Sequence, residues 1–338
     1  MTPLRLEPDN FTPATRTPWG GRRIVDVVKA GLALAPEKAA FPVVGESWEL
    51  SVDPAFPSRV AGTGVLLTDA LPEARATRML VKLLDAADDL SVQVHPPDDY
   101  AGLGPGESGK PEMWYVLHAD EGAGIYLGLA EGVSREALTA ALAAGDDLRP
   151  MLSFVPVRPG DAYEIGPGTV HAVGRGVTLV EPQLVAPGTS GVTYRFWDWN
   201  RRYDAAGRRD PGGEPRALHT AHSLAVTRFD GPRGAAFAAS RRLALREVAR
   251  AGDATRQLVN QLGPMRVERL AGSGHLTLPG GEGLGAFVVV GGSARVGAAG
   301  GGEMVAARSG ETLALAAAPG NLAVELDSAE VIVCRCQG

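Results

Sequence analysis

Cysteine is almost absent from this sequence, whose 338 residues contain only Cys334 and Cys336, both near the C-terminal end. Two thiols cannot form the disulfide framework of a small secreted domain, and they supply only half of a thiolate metal site. We expect them to lie in a frayed C-terminal tail and to be chemically inert. The simplest expectation for such a chain is a reducing, cytoplasmic compartment.

Long hydrophobic runs and an excess of positive charge are also missing. No uncharged apolar stretch approaches the roughly 18 residues needed to span a membrane. The N-terminal sequence MTPLRLEPDNF lacks the basic-then-apolar pattern of a signal peptide. The formal net charge is −6 and the basic residues are scattered, which argues against nucleic-acid and anionic-membrane partners. A small anionic ligand is not excluded, because it needs only a local positive pocket.

Aromatic residues make up only 6% of the chain, whereas glycine and proline number 44 and 25. Such an abundance of turn formers predicts many short strands rather than long helices. The segment from Gly310 to Gly320 echoes the segment from Gly160 to Gly168, because in each an acidic turn precedes a short strand and a Pro-Gly turn. This internal repeat predicts two β-barrels of one plan. We therefore expect a mainly β fold with two jelly-roll barrels, the first formed by residues 1–228 and the second by residues 229–338.

Polar side chains with metal-ligand chemistry occur in three stretches of the first half. Gln93 and His95 are two apart in the alternating run LSVQVH, so on a strand they point to the same face. Lys110 and Glu112 follow a turn-rich loop, just before the strand-like run MWYVL, and His171 opens a strand after a Pro-Gly turn. Two imidazoles, a carboxylate and an amide oxygen form a ligand set that suits Zn²⁺ and leaves positions open for a substrate.

These stretches resemble the two metal motifs of a cupin barrel. Taken in order, Gln-x-His, Gly-Lys-Pro-Glu and Pro-Gly-Thr-Val-His resemble type I mannose-6-phosphate isomerases, and the resemblance covers most of the chain. It implies two cupin-type barrels, one Zn²⁺ per chain held by Gln93, His95, Glu112 and His171, and a small sugar phosphate as partner. The implied reaction interconverts D-mannose 6-phosphate and D-fructose 6-phosphate through an enediol. The second barrel lacks a Gln-x-His motif and is expected to be metal-free.

The same resemblance implies a set of substrate-binding residues. Trp19, in an early Trp-Gly pair, and Glu46, in a Glu-x-Trp element, would form walls of the pocket. Lys82 and Ser91 keep the family spacing of a lysine and a serine that hold the phosphate. Lys82 interrupts an apolar strand, where a lysine either extends to solvent or binds an anion in a cavity.

Three further residues carry the implied catalysis, namely Lys110, Glu181 and Arg195. Lys110 and Arg195 would stabilise the enediolate or relay a proton at the reacting end of the sugar, whereas Lys82 and Ser91 would hold its phosphate end. The charge of the metal is expected to make Lys110 less basic. Glu181 is an alternative base, and the sequence leaves this choice open. The Glu-Pro-Gln around Glu181 and the Ser-Gly-Val before Thr-Tyr-Arg195 depart from the commoner family patterns, which puts the local loop geometry in question.

Two other functions fit a cupin barrel. An iron-dependent oxygenase would favour several histidines with one carboxylate, and the neutral Gln93 argues against it. A non-catalytic sugar-phosphate sensor would lose a ligand or the Lys110 and Arg195 pair, yet all of them are present. We expect a monomer or a weak dimer.

Two helices are predicted outside the barrels. Residues 131–145 form an insertion with Ser134 as its N-cap and Gly145 as its stop. Residues 215–226 form a helix that joins the two halves. His219 and His222 are three apart on it, but no further ligand is nearby, so we do not assign them a metal.

Overall fold

The computed structural model of the chain describes residues 2–336. Its strands follow in chain order: β1 (Leu4–Arg5), β2 (Glu46–Leu50), β3 (Met79–Asp85), β4 (Val92–Val94), β5 (Glu107–Ser108), β6 (Glu112–Ala119), β7 (Gly124–Leu129), β8 (Leu152–Pro156), β9 (Ala162–Ile165), β10 (His171–Val173), β11 (Val177–Leu184), β12 (Ser190–Gly191), β13 (Tyr194–Trp197), β14 (Arg246–Ala251), β15 (Ala254–Leu262), β16 (Met265–Leu278), β17 (Gly285–Ala298), β18 (Val305–Arg308), β19 (Thr312–Leu315) and β20 (Leu322–Cys336). The α-helices are short: α1 (Pro36–Ala39), α2 (Leu67–Ala70), α3 (Arg135–Ala144), α4 (Thr220–Val226) and α5 (Gly234–Arg241). A π-helix covers Ile24–Val28, and 3₁₀ turns cover Pro72–Ala76 and Arg149–Met151. The prediction of a mainly β fold is confirmed.

Two five-stranded sheets build the first half of the fold. Sheet A has the order β2-β3-β11-β6-β9 and sheet B the order β13-β4-β10-β7-β8. Their facing side chains form one buried cluster, in which Leu84 and Trp114 of sheet A lie with Ile125 and Leu127 of sheet B. The two sheets therefore pack face to face, as in a jelly roll.

Sheet A is buried on both of its faces. On β3, Val81 and Leu83 belong to a hydrophobic cluster shared with strands of the C-terminal sheet, such as Val288 and Ile332. Their neighbour Lys82 points to the other face, where it lines a cavity. This two-sided burial explains why every residue of β3 is buried, and it makes sheet A the wall between the cavity and the second half of the molecule.

Sheet C forms the second half, with the order β1-β19-β17-β20-β16-β15-β14 and with β18 paired to β17. It encloses a hydrophobic cluster of its own that includes Phe287, Leu313 and Val331. The strands predicted from the internal repeat are present as β9 and β10 in the first half and as β19 and β20 in the second. The N-terminal β1 also joins this sheet through β19. The predicted division at residues 228 and 229 stays a prediction.

The prediction of a frayed tail at the C-terminus is wrong. Cys334 and Cys336 lie in β20, which pairs with β16 along its length, and both thiols are buried. Burial raises the pKa of both thiols above the usual value, so they are kept in the neutral, unreactive form. The sequence alone did not reveal this strand because its pairing partners in β16 and β17 lie between 24 (Ala298–Leu322) and 71 (Met265–Cys336) residues upstream.

The two predicted helices have different outcomes. Helix α3 begins after Ser134, whose hydroxyl accepts a hydrogen bond from the backbone N–H of Ala137, and it ends at Gly145 in a left-handed conformation. The second helix is shorter than predicted, because α4 covers only Thr220–Val226. Residues 215–218 are not helical, and the carbonyl of Ala217 accepts a hydrogen bond from Arg195 instead. Among residues 2–336, no helix is long and apolar enough to cross a membrane.

Candidate active site

A polar cavity of about 550 Å³ is lined by side chains from both sheets of the first half. From sheet A it receives residues of β2, β3, β6 and β11, and from sheet B residues of β4, β10 and β13. All residues that the sequence predicted for the site line this cavity, except His95, which is buried directly behind it. The predicted residues are therefore brought together from strands far apart in the chain.

His95, Glu112 and His171 form the centre of the site. Their ligand atoms all lie within 4.8 Å of one another, and all three side chains are buried. His95 Nε2 is 3.3 Å from Glu112 Oε2, and His171 Nε2 is 3.5 Å from Glu112 Oε1. Strand pairing accounts for this convergence, because His171 at the start of β10 is the register partner of Gln93 on β4.

The backbone fixes which nitrogen of each imidazole faces the centre. His95 Nδ1 is 3.0 Å from the carbonyl oxygen of Val192, and His171 Nδ1 is 2.8 Å from that of Thr169. A carbonyl can only accept, so each Nδ1 carries the proton and each Nε2 presents a lone pair. His95 Nε2 is buried without a hydrogen-bond partner. Two lone pairs that face a carboxylate need a cation between them.

The protonation states agree with a cation site. Burial, followed by the charge of His95, lowers the pKa of His171 to about 3. Burial, followed by Lys110, also lowers the pKa of His95. Burial opposes ionisation of Glu112, but His95 and Lys110 hold the pKa of this carboxyl well below its usual value. Neutral imidazoles and an ionised carboxylate are the forms that bind a divalent metal.

Gln93 connects this centre to Arg195 through Ser91. The Gln93 amide nitrogen donates to the Ser91 hydroxyl at 3.3 Å, which leaves the amide oxygen of Gln93 free. Arg195 Nε donates to the same hydroxyl at 3.1 Å. Ser91, predicted at the phosphate end, is therefore in direct contact with a residue that was predicted at the reacting end. The assignment of Ser91 to the phosphate end stays a prediction.

A second carboxylate lies beside the first on sheet A. Glu181 accepts hydrogen bonds from Trp114 Nε1 at 2.9 Å and from the amide of Gln183. The same amide nitrogen donates to Glu112 Oε2 at 2.9 Å. Burial, and next the negative charge of Glu112, raise the pKa of Glu181 to about 8. A carboxyl group with a pKa in this range can exchange a proton at neutral pH.

Lys110 lies next to the metal-ligand cluster. Its ammonium group is 3.6 Å from Glu112 Oε2, and its side chain is only 10% exposed. Gly191 of β12 packs against the aliphatic part of Lys110, because a Cβ at position 191 would come within 2.8 Å of the Lys110 Cδ. Glycine is required here to let the strand approach the lysine so closely.

Lys82 points into the cavity, not to solvent. Its ammonium group is 3.4 Å from Glu46 Oε2 and lies 4.3 Å from the centroid of the Trp48 ring. Glu46 also accepts a hydrogen bond from Trp48 Nε1 at 2.8 Å. Burial raises the pKa of Glu46, but Lys82 and this hydrogen bond outweigh it, so the pKa is lowered overall. Trp19, also predicted for the wall, is buried and lines the same cavity.

Comparisons with known proteins identify the family. Comparison with models of protein families gives no match. The chain is 37% identical over 229 residues to the mannose-6-phosphate isomerase of Streptococcus mutans, a stretch that covers 64% of this chain and 66% of that protein. It is 39% identical over 149 residues to mannose-6-phosphate isomerase ManA of Bacillus subtilis, 44% of this chain and 43% of that protein. The solved structure of a Bacillus subtilis mannose 6-phosphate isomerase covers 99% of this chain and is itself covered completely, with 26% identity and a TM-score of 0.80.

The chain belongs to the type I mannose-6-phosphate isomerase family. This agrees with the resemblance seen in its three metal motifs, and the prediction of an enzyme is confirmed at the level of the family. In sequence, the matched stretches span just under two thirds of the Streptococcus mutans protein, whereas in structure the likeness extends over both halves of the fold. A structure from Archaeoglobus fulgidus, 20% identical with a TM-score of 0.73, shares this fold as well.

Several residues that line the cavity were not predicted from the sequence, and three of them, Gln183, Trp114 and Arg16, bear on its chemistry. Gln183 and Trp114 hold the two carboxylates, and their spacing of two from Glu181 and Glu112 was the available signal, since residues two apart share a face of a strand. Arg16 lies at the cavity with its guanidinium 5.5 Å from the centroid of the Trp48 ring and 5.1 Å from that of Phe56. No local pattern marks Arg16, because it precedes any strand of the first half.

Proposed function

We propose that this chain is a zinc-dependent mannose-6-phosphate isomerase that interconverts D-mannose 6-phosphate and D-fructose 6-phosphate. The observation that carries the proposal is the buried cluster of His95, Glu112 and His171, with both imidazole Nε2 lone pairs directed at the carboxylate. This cluster lies beside a lysine, an arginine and a second carboxylate in one cavity. A non-catalytic binding protein would not need a metal centre next to groups that can move protons.

The donor set favours zinc among the divalent metals. His95, Glu112 and His171 would supply two nitrogens and a carboxylate, and the free amide oxygen of Gln93 would supply the fourth ligand. When bound, the metal would polarise the sugar oxygens and stabilise negative charge on them. A solved mannose 6-phosphate isomerase with 16% identity to this chain and a TM-score of 0.70 holds zinc and yttrium. That likeness supports the fold, while the donor set carries the choice of metal.

From mannose 6-phosphate to fructose 6-phosphate, the reaction moves one proton from carbon 2 of the open-chain sugar to carbon 1, and a second proton from the oxygen on carbon 2 to the oxygen on carbon 1. The carbonyl at carbon 1 becomes a hydroxyl, the hydroxyl at carbon 2 becomes a carbonyl, and no external oxidant is required. Glu181 and Lys110 are candidates to take the proton from carbon 2 and return it to carbon 1, because both lie close to the metal ligand Glu112. Glu181 is linked to Glu112 through the amide of Gln183, and the Lys110 ammonium group is 3.6 Å from Glu112 Oε2. We favour Glu181, since hydrogen bonds from Trp114 and Gln183 hold its carboxylate in place in the cavity.

The phosphate group requires positive charge that is not paired with a metal ligand. Lys82 and Arg16 both lie over the Trp48 ring, and within residues 2–336 no ion pair to Arg16 is present. Arg195 is held by Ser91 and by the carbonyl of Ala217, and it lies closer to Gln93 through strand pairing. We therefore assign the phosphate to Lys82 and Arg16, and charge stabilisation of the enediolate to Arg195 with Lys110.

The test is an isomerase assay on metal-defined protein. Protein stripped with a chelator and reloaded with one equivalent of Zn²⁺ should convert mannose 6-phosphate to fructose 6-phosphate, whereas the stripped protein should be inactive. Circular dichroism should change little on stripping, because the hydrophobic cluster of sheet C contains none of the ligands. Binding of mannose 6-phosphate without turnover by the zinc-loaded protein would favour a sensor. Oxygen consumption by iron-loaded protein would favour an oxygenase.

A further inference from the structure

The pair His219 and His222 was left without a role by the sequence analysis, and the structure gives the two histidines different surroundings. Strand β13 is at the edge of sheet B, with its inner side paired to β4. At its outer side, the backbone N–H and C=O of Arg195 face the segment before α4. An unpaired edge of this kind costs free energy unless other groups satisfy it.

His219 satisfies both backbone groups of Arg195. The Arg195 N–H donates to His219 Nδ1 at 3.1 Å, and the His219 N–H donates to the Arg195 carbonyl at 2.7 Å. The Arg195 guanidinium reaches back to the carbonyl of Ala217 at 2.9 Å and donates to Ser91 at 3.1 Å. Arg195 is thus held by its main chain and its side chain at once.

From this arrangement we propose that His219 is a positioning residue for Arg195, which sets the direction of the guanidinium in the active-site cavity. The inference rests on the proposed function, because it gives Arg195 a role in turnover. A shift of the Arg195 guanidinium would also affect the metal centre, since Ser91 is hydrogen-bonded to both Arg195 and the metal-ligand candidate Gln93.

The His219 imidazole accepts the hydrogen bond from the Arg195 N–H that a carbonyl of a neighbouring strand would otherwise accept. Position 219 is the N-cap of α4 and has φ −113° and ψ 47°, so the chain turns away and cannot offer a strand carbonyl to the Arg195 N–H. The acceptor therefore comes from the side chain, and it must be a neutral imidazole with the proton on Nε2. Burial, followed by the charge of Arg195, lowers the pKa of His219, which favours this neutral form.

His222 provides a matched control from the same helix. Its ring stacks on Tyr194 at 4.9 Å with an interplanar angle of 14°, and its Nδ1 is 2.9 Å from the Tyr100 hydroxyl. It forms no hydrogen bond with Arg195 within residues 2–336. A loss of local packing would affect variants at 219 and 222 alike, whereas a positioning effect would be confined to 219.

The test compares His219→Ala, His219→Asn, His222→Ala, Arg195→Ala and the double variant His219→Ala/Arg195→Ala, all zinc-loaded. We expect His219→Ala to lower kcat by about 10-fold to 100-fold with a smaller change in KM, the range for a slightly misplaced active-site group. His219→Asn should recover most of this loss, because its side-chain oxygen can accept in place of Nδ1. The double variant should match Arg195→Ala alone, since one residue acts through the other.

Exchange of the Arg195 backbone amide, followed by nuclear magnetic resonance, gives a second measurement that needs no turnover. The amide should be protected in the wild type and in His219→Asn, and unprotected in His219→Ala. Wild-type kinetics in His219→Ala, an additive double variant, or equal losses in His219→Ala and His222→Ala would each overturn the inference. A wild type that is folded and zinc-loaded but does not turn over mannose 6-phosphate would refute the proposed function. In that case the exchange measurement still decides the inference. If the Arg195 amide stays protected in His219→Ala, the positioning role of His219 is refuted, and if the amide loses its protection in this variant, the positioning role is supported.

Discussion

The amide nitrogen of Gln183 donates a hydrogen bond to Glu112 Oε2 at 2.9 Å, inside the cavity and completely buried. The same nitrogen donates a hydrogen bond to Glu181, so Gln183 lies between the two carboxylates and orients both. The Gln183 oxygen is buried without a protein partner. A residue that is hydrogen-bonded to a metal ligand orients that ligand without binding the metal itself.

We predict that Gln183→Leu weakens zinc binding by about 10-fold to 100-fold, the usual effect of losing a residue that orients a ligand. The reason is that Glu112 loses a donor and the two carboxylates repel each other at closer range. Competition with a chelator of known affinity measures the change. Gln261→Leu, on an exposed position of sheet C, is the control and should bind zinc like the wild type. Equal zinc affinity in both variants would contradict the role given to Gln183.

Glu181 leads to a pH prediction for the metal-free protein. Its pKa is about 8 in the folded state, above the usual value of 4.5, so the folded chain holds a proton that the unfolded chain has lost. This contribution to stability is fully present below about pH 4.5 and is lost as the pH rises through about 8. We expect Glu181→Gln to remove it, so that between pH 5 and pH 9 its free energy of unfolding falls less steeply than that of the wild type.

The measurement for Glu181→Gln is urea unfolding of both metal-free proteins across this pH range. Between the unfolded and folded pKa values of Glu181, the two slopes should differ by about 1.4 kcal/mol per pH unit, the effect of one proton held only by the folded chain. The comparison uses slopes because the substitution also changes hydrogen bonds to Trp114 and Gln183, which alter stability equally at every pH. Parallel pH profiles would mean that Glu181 is ionised in the folded metal-free protein.

A third prediction separates binding from turnover. Lys82→Ala should mainly raise KM for mannose 6-phosphate, by an amount that corresponds to about 1.5–3 kcal/mol for a lost contact to a charged group. Lys110→Ala should instead lower kcat with a smaller change in KM, because its contact strengthens as negative charge develops on the sugar. Zinc content must be measured in each variant, since Lys110 is 3.6 Å from Glu112. Lys38→Ala, outside the cavity, is the control. If Lys82→Ala lowered kcat at unchanged KM and Lys110→Ala raised only KM, the phosphate-binding role would belong to Lys110 and the catalytic role to Lys82.

Much of this site could be predicted from sequence because its ligands carry local signals. Gln93 and His95 alternate on one strand, and His171 follows a Pro-Gly turn, so side-chain direction follows from strand periodicity. Strand propensity is a weaker guide at Pro182, since proline is rare in central strands, yet Pro182 lies in β11, which is central in sheet A. The structure accommodates it because the pairing of β11 with β6 is interrupted between Val180 and Gln183.

Contacts between distant segments could not be predicted in this way. The hydrogen bonds of His219 to Arg195, and the pairing of β1 with β19, join parts of the chain whose own patterns are ordinary. Strand pairing over long sequence distances is decided by packing of the whole molecule, to which local propensity is a weak guide. The buried position of Cys334 was missed for the same reason.

A fourth prediction concerns a buried ion pair of the first half that lies against sheet C. Lys29 Nζ is 2.7 Å from Glu49 Oε1, with the two side chains 0% and 2% exposed. Lys29 also donates to the carbonyl of Gly310, and Glu49 accepts from Thr312 of sheet C. Removing one partner leaves the other charge buried and unpaired, so Lys29→Met should lower the free energy of unfolding by about 3–5 kcal/mol. Lys29→Met/Glu49→Gln should be less destabilised than Lys29→Met alone, because no charge is then left without a partner. Urea unfolding of the wild type, Lys29→Met, Glu49→Gln and the double variant decides this, and additive losses in the double variant would mean that the two residues stabilise the fold independently.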